Sequence, residues 1–433
     1  MKDRPAVPDD VAALLDDVRQ MREEVDTLAD RVASARDCVN ELLDVERLRA
    51  GERAALAGIP RARLLSSAIA LEGRPTERMR IVRLRTGDPV ETPFRSTAGV
   101  IRCATEAPDV RDLWERLLAN EAAHEDDMLR GQPSTILDIP DAAVSKDERT
   151  LHIALESQAT AAPLIAVPRF TYDYPPRKIY NFGHWLLDCL PQVVALSTVA
   201  PDARYLLPDP CREYQEKTLA LVGIERSQLI PWDGSTVHCR RLLAFESDGR
   251  TGGGRPLSAL MQVRQILASR ASAVAPPHRR VYFSRRDARP DRRWTTNEAL
   301  LERLFEARGF EIVSVTTHAI EQLVRIFAEA RVVAGVNGAG LAHILFAPPG
   351  THVILLFSDS LMRWHATEGG ARSEWLDERR PADQLTALGD SPRVYAHVAA
   401  AFGQVSHAFV GGDEMPLDRL GAFLDEVLEG VGD

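Results

Sequence analysis

The chain has 433 residues, 45% hydrophobic and 27% charged, with a formal net charge of −10. That length exceeds what one hydrophobic core usually fills, so two or more structural units are expected. The acidic balance excludes a general nucleic-acid binder, which needs a basic surface to displace counterions, and no run approaches the roughly 18 apolar residues of a membrane span.

The opening MKDRPAVPDD lacks the apolar region of a secretory signal, and Cys38, Cys103, Cys189, Cys211 and Cys239 show no metal-ligand spacing. These features predict a cytoplasmic protein without disulfides or structural zinc. A peripheral position at the inner face of the cell membrane stays compatible, although no basic amphipathic helix argues for it.

In chain order, the first predicted element is a heptad repeat. Val11, Val18, Val25, Val32 and Val39 take the a positions, and Leu14, Met21, Leu28, Ala35 and Leu42 the d positions. Valine at a with mostly leucine-like d residues favours a parallel two-stranded coil, so residues 9–50 predict a coiled-coil helix and a homodimer. The same spacing also describes a single amphipathic helix folded onto the body.

Residues 60–262 read as a first α/β unit. A helix is predicted over residues 110–123 and a strand over 151–155, followed by the runs RYLLP, YQEKTLALVG, QLIPW and CRRLLAFES. The glycine-dense SDGRTGGGRP that follows reads as a loop or crossing between units. Within this unit NFGHWLLDCLP stands out. Asn181 is a candidate N-cap, and His184 and Asp188 then fall at i and i+4 on one helical face. A carboxylate beside an imidazole fixes its tautomer and raises its basicity, as a general base requires. The pair also reads as an ordinary helix-surface ion pair.

Residues 275–400 alternate strictly: RRVYFS, FEIVSV, RVVAGV and THVILLF as strands, NEALLERLFEARG, IEQLVRIFAEA and GLAHILFA as helices. That alternation predicts a parallel sheet covered on both faces, whose ligands sit beyond the carboxyl ends of the strands. Arg279, Arg280, Arg285, Arg286, Arg289, Arg292 and Arg293 crowd around one such end, opposed only by Asp287 and Asp291. Arginine forks there suit a phosphate, and Arg285 lies nearest the strand end. Most of the others read equally as a solvated loop. Two strands later, VAGVNGAGLAH runs a buried strand into Gly338 and Gly340, so that a following helix could present free N–H groups to an anion. A tight turn that merely packs has the same pattern. A final amphipathic helix, within residues 413–433, is predicted to pack back on the body.

In order and spacing, NFGHWLLDCLP, YFSRRDARPDRRWTTNE, GFEIV with IEQLVRIFAEA, and VAGVNGAGLAHILFAPPGTHVILLF together resemble glycosyltransferase family 61. The resemblance covers residues 178–357. It implies a GT-B-like pair of doubly wound parallel-sheet domains behind the N-terminal coiled coil, the first on the acceptor side and the second binding the donor. It further implies an inverting, metal-independent transfer from a nucleotide sugar to a hydroxyl of a glycan or other acceptor, of the kind associated in bacteria with capsule and surface polysaccharide. Residue by residue, the resemblance assigns His184 and Asp188 to catalysis, and Asn181, Gly183 and Trp185 to the acceptor side. It assigns Ser284, Arg285, Arg293, Asn297, Glu321, Gln322, Asn337, Gly338, Ala339, Gly340 and Leu341 to the donor, and matches Asn297 and Glu298 to the family's Asn-Glu pair. Two positions depart from the family pattern: Asn337 replaces a usual histidine and Leu355 a usual glutamate. Asn337 can donate to a phosphate but cannot carry a proton, and Leu355 can do neither. These departures leave open a catalytically inactive member that binds nucleotide sugar or serves as a scaffold subunit.

Overall fold

The computed structural model describes residues 69–72, 80–84, 99–123, 134–147, 151–155, 163–168, 170–173, 179–208, 212–247, 257–270, 275–287, 295–314, 318–366 and 393–431. The coiled coil predicted over residues 9–50, residues Arg289, Arg292 and Arg293, and nearly all of SDGRTGGGRP lie outside these. Both sheets fall in one compact unit, Leu65–Asp433.

The first sheet contains β1 (Ile69–Glu72), β2 (Arg80–Leu84), β4 (Ser134–Lys146), β5 (Leu151–Leu155), β6 (Leu164–Val167), β7 (Arg204–Leu207), β8 (Leu229–Pro231) and β9 (Val237–Ser247). Its order is β1-β5-β4-β9-β6-β7-β8, with β2 also on β4. The predicted parallel sheet holds for most of its strands, and one strand, β4, corrects it by running the other way. Strands β9, β6, β7 and β8 run parallel, whereas β4 pairs antiparallel with β2, β5 and β9. Only residues 147–150 separate β4 from β5, too few for the crossover that a parallel pair needs. The long β4–β9 ladder runs from Ser134 opposite Ser247 to Val144 opposite Val237, and Asp141 adopts a left-handed φ of 48° within it.

The second sheet is parallel throughout, in the order β11-β10-β12-β13-β14-β3. Its strands are β10 (Arg279–Phe283), β11 (Glu311–Val313), β12 (Ala330–Val336), β13 (His352–Phe357), β14 (Val405–Val410) and, from far upstream, β3 (Ile101–Cys103). Burial on both faces explains why ARVVAGV and HVILLF read as continuous apolar runs rather than alternating ones. The edge strand β3 docks through close approach. A Cβ on Gly99 would meet Ser406 O at 2.3 Å, and Val100 N–H donates to His407 Nδ1 at 3.0 Å. Residues 99–103 thus belong to the second sheet although they precede most of the first.

One continuous core joins the facing sides of the two sheets, from Phe245 and Tyr205 to Phe283, Leu355 and Val410. A second core covers the other face of the first sheet, around Trp232 and Ile153. A third lies under helices α6 (Glu298–Glu306) and α10 (Leu417–Val431), the last numbered after α1 (Pro108–Ala123), α2 (Phe182–His184), α3 (Leu190–Val199), α4 (Glu213–Leu221), α5 (Leu257–Arg270), α7 (Ile320–Ala328), α8 (Asp359–Ala366) and α9 (Val394–Ala401). The final helix lies on this outer face of the second sheet: Leu420, Phe423 and Val427 fill the core, and Arg308 holds Asp425 in a fork at 2.8 and 3.1 Å. The predicted helix at GLAHILFA is instead a tighter 3₁₀ coil over Ala339–Phe346.

Candidate active site

Strand β10 ends against two carboxylates that α6 presents four residues apart. Glu298 accepts from the Tyr282 hydroxyl (3.0 Å), the Arg285 N–H (2.9 Å) and the Thr295 hydroxyl (2.8 Å). Glu302 accepts from the Ser284 hydroxyl at 2.7 Å and pairs with the Arg286 guanidinium at 3.0 Å. Both acids are buried, and their partners supply the hydrogen bonds a buried charge requires. Burial, reinforced by the Glu298 charge, pushes the Tyr282 phenol well above its ordinary range, so it stays a donor. Ser284 is thus turned inward onto Glu302, while Arg285 leaves the strand end in a turn fixed by Glu298.

The Arg285 guanidinium crosses the next strand's exit. A Cβ on Gly338 would lie 1.7 Å from Arg285 Nη1, and one on Gly340 would lie 2.0 Å from the Phe283 ring. The backbone at Gly338 is extended, with φ 169°, so what a side chain there would meet is the movable Arg285 guanidinium, not a dihedral limit. In the loop itself, Asn337 N–H donates to Leu356 O at 2.8 Å and Leu341 N–H to Gly338 O at 2.9 Å. The N–H groups of Gly338, Ala339 and Gly340 have no acceptor among the described residues, as expected for the first donors of a helical coil. Behind the loop, His343 Nδ1 donates to Gly340 O at 2.7 Å. Its ring is fully buried, and burial lowers its pKa to about 4 despite the Gly340 carbonyl, so it is neutral.

The His184 helix abuts this loop. Asn181 caps it as predicted, Oδ1 accepting from Gly183 N–H at 2.9 Å and His184 N–H at 3.3 Å. His184 Nδ1 lies 2.7 Å from Asp188 Oδ2; the carboxylate is 7% exposed and the imidazole 28%. The turn between them, Trp185–Cys189, is a π-helix, a local widening often found at functional sites. Pro191 follows at the head of α3 and, lacking an amide hydrogen, cannot continue the preceding ladder. A Cβ on Gly183 would meet Ala339 Cα at 3.2 Å, and the Phe182 ring stacks on His343 at 4.7 Å. The structure therefore brings together His184, Asp188, Asn181 and Gly183 with the 337–341 loop and Arg285.

The other sequence candidates sit differently. Trp185 is buried, its indole N–H donating to Thr218 at 2.8 Å and its ring edge-on to Phe170, so it serves the core. Asn297 exchanges two hydrogen bonds with the Met415 backbone, at 2.9 and 3.0 Å, tying the loop after β14 to α6. Gln322 Oε1 accepts from Ala319 N–H at 2.9 Å and closes the start of α7. Its neighbour Glu321 is exposed, close enough to add to the effect of Glu213 in raising the Lys217 pKa. Leu341 is buried, and Arg293 lies outside the described residues. Leu355, fully buried on β13 between Gly335 and Ala408, points into the shared core.

Sequence reasoning did not single out Glu302, His343 or Tyr395. The first two lay inside the quoted motifs but carry no pattern of their own. Tyr395 comes from α9, and nothing in the local sequence signals that its hydroxyl reaches Gly183. Among the described residues no group of three or more His, Cys, Asp or Glu side chains could hold a metal ion, and no helix is long and apolar enough to cross a membrane.

Residues 182–354 match the family model for Glycosyltransferase 61. A comparison with curated proteins gives no match.

Proposed function

We propose, for a chain whose residues 182–354 match the Glycosyltransferase 61 family model, an inverting, metal-independent sugar transfer from a nucleotide-diphosphate donor to an acceptor hydroxyl. The observation that carries this reading is the 2.7 Å His184–Asp188 bond on a helix whose Gly183 touches the glycine loop. Asp188 takes the Nδ1–H, which leaves Nε2 to accept the proton of the acceptor hydroxyl. The acceptor oxygen then bonds to the anomeric carbon as the carbon–oxygen bond to the diphosphate breaks, its electron pair leaving with the phosphate. Arg285 and the N–H groups of Gly338 to Gly340 meet that growing charge. The acceptor is a glycan or another hydroxyl compound, recognised from the side of Asn181 and Gly183.

His184→Ala is expected to lower transfer by about 10²- to 10⁴-fold with nucleotide binding intact, the usual contribution of a general base. Full transfer by that variant would overturn the assignment. Thermal shift against UDP, GDP, CMP and dTDP sugars identifies the donor: a ligand at 100 times its Kd adds about 2.7 kcal/mol of stability.

Asn337 and Leu355 favour a second reading, an inactive subunit that binds nucleotide sugar beside an active transferase. Neither side chain can relay a proton, and Leu355 is sealed in the core. Stabilisation by a nucleotide sugar without transfer or donor hydrolysis would select it.

A further inference from the structure

Helix α9 lies beyond the matched segment yet reaches the candidate site, packing on the 3₁₀ coil Ala339–Phe346 and on β13 and β14. Its second residue, Tyr395, is 6% exposed. The hydroxyl occupies the space that a side chain at Gly183 would need: an ideal Cβ there would lie 3.0 Å from Tyr395 Oη, 3.2 Å from Ala339 Cα and 3.3 Å from Asn181 Oδ1. Three segments far apart in sequence therefore meet around one glycine. They are the cap of the His184 helix, the glycine loop and the tyrosine hydroxyl.

Packing alone would be served by phenylalanine, because burying a hydroxyl costs free energy unless polar groups receive it. Here the hydroxyl is set beside the turn in which Asn181 Oδ1 binds the Gly183 and His184 N–H groups. His184 is the next residue after Gly183, so any displacement of this turn carries the imidazole with it. Misplacement of a catalytic group by about 1 Å can cost on the order of 100-fold in rate.

We propose that Tyr395 is a positioning residue for His184: its hydroxyl braces residues 181–184 against the glycine loop and holds the base in register with the diphosphate cradle. This rests on the reading of His184 as the base. It also bears on glycine at position 183, where a methyl group would press on the tyrosine hydroxyl at 3.0 Å and on the loop backbone at 3.2 Å.

The test is nitrogen-15 NMR of histidine side chains in the full chain, with the His184 signals identified by their loss in His184→Gln. In Tyr395→Phe the His184 Nε2 resonance is expected to move and its Nδ1–H to exchange about threefold to tenfold faster, the scale of one neutral polar contact. Circular dichroism and the thermal response to UDP, GDP, CDP and dTDP should remain. Tyr205→Phe, which alters a buried phenol of the first sheet, should leave the His184 signals in place. Unchanged His184 signals in Tyr395→Phe would overturn the proposal. Should that variant fail to fold, Gly183→Ala presses on the same hydroxyl and must move the same signals, and their constancy would overturn it equally. The base assignment fails on a different result, full transfer by His184→Ala, which leaves the NMR outcome unaffected.

Discussion

Gly338 and Gly340 show how one residue type serves two different neighbours within three positions. At Gly338 the obstacle to a side chain is the far end of Arg285, a flexible group; at Gly340 it is the packed ring of Phe283. Gly338→Ala should therefore fold with little loss, the guanidinium swinging aside. Its nucleoside-diphosphate affinity should fall by about tenfold to 100-fold, the value of a charge-assisted contact. Gly340→Ala should instead cost roughly 1–3 kcal/mol of stability, as overpacking does in a well-filled core. Calorimetric titration and chemical denaturation of the two variants separate these outcomes. Unchanged affinity in Gly338→Ala would remove Arg285 from the proposed diphosphate cradle.

Helix α6 works as an element rather than as a set of contacts. Glu298 and Glu302 stand one turn apart, so a single rigid rod fixes the hydroxyls of Tyr282, Ser284 and Thr295 and the N–H of Arg285. The exit angle of Arg285 from β10 follows from that rod. Glu298→Ala would leave two hydroxyls and one N–H without their acceptor. We expect a loss of roughly 3 kcal/mol or more in urea denaturation, since each buried unsatisfied group costs about 1–3 kcal/mol. A loss below 1 kcal/mol would mean that water replaces the carboxylate.

Across the whole molecule, acid should weaken the fold through buried imidazoles. Two imidazoles are held neutral by burial. His343 lies behind the glycine loop with a pKa of about 4, and His407, where β3 joins the second sheet, is also lowered to about 4 by burial and by His352. His407 Nδ1 accepts from Val100 N–H, so its Nε2–H must donate to His352 Nδ1, 2.9 Å away. Protonation at Nδ1 would break the first of these bonds. Both groups bind protons more tightly unfolded than folded. The stability tied to their neutral forms is therefore fully present above about pH 6.5 and falls as pH drops toward 4, by up to about 3 kcal/mol per imidazole. Tm measured from pH 7 to 4 should fall throughout that window, and His343→Phe should flatten the fall. Glu329 works in the lower range: burial would raise its pKa, but Arg279, Arg325 and the Ala275 N–H hold it down to about 2.

The sequence alone determined the elements whose signals are local. Apolar period and spacing located β10 to β13 and α6 and α7 within a few residues, and Asn181, His184 and Asp188 emerged at cap and i, i+4 positions because helix geometry requires no partner chain segment to set them. The order of the motifs carried the family resemblance. Tertiary structure alone decided the rest. The reversed strand β4 of the first sheet, the transfer of β3 to the second sheet, the inward turn of Ser284 and the burial of Trp185 and Leu355 all depend on which distant segment lies opposite. Pairing of that kind leaves no trace in a local pattern. The glycines of VNGAG could be read as freedom for a turn; only the fold shows that Gly338 and Gly340 are vacated for Arg285 and Phe283, and Gly183 for Tyr395.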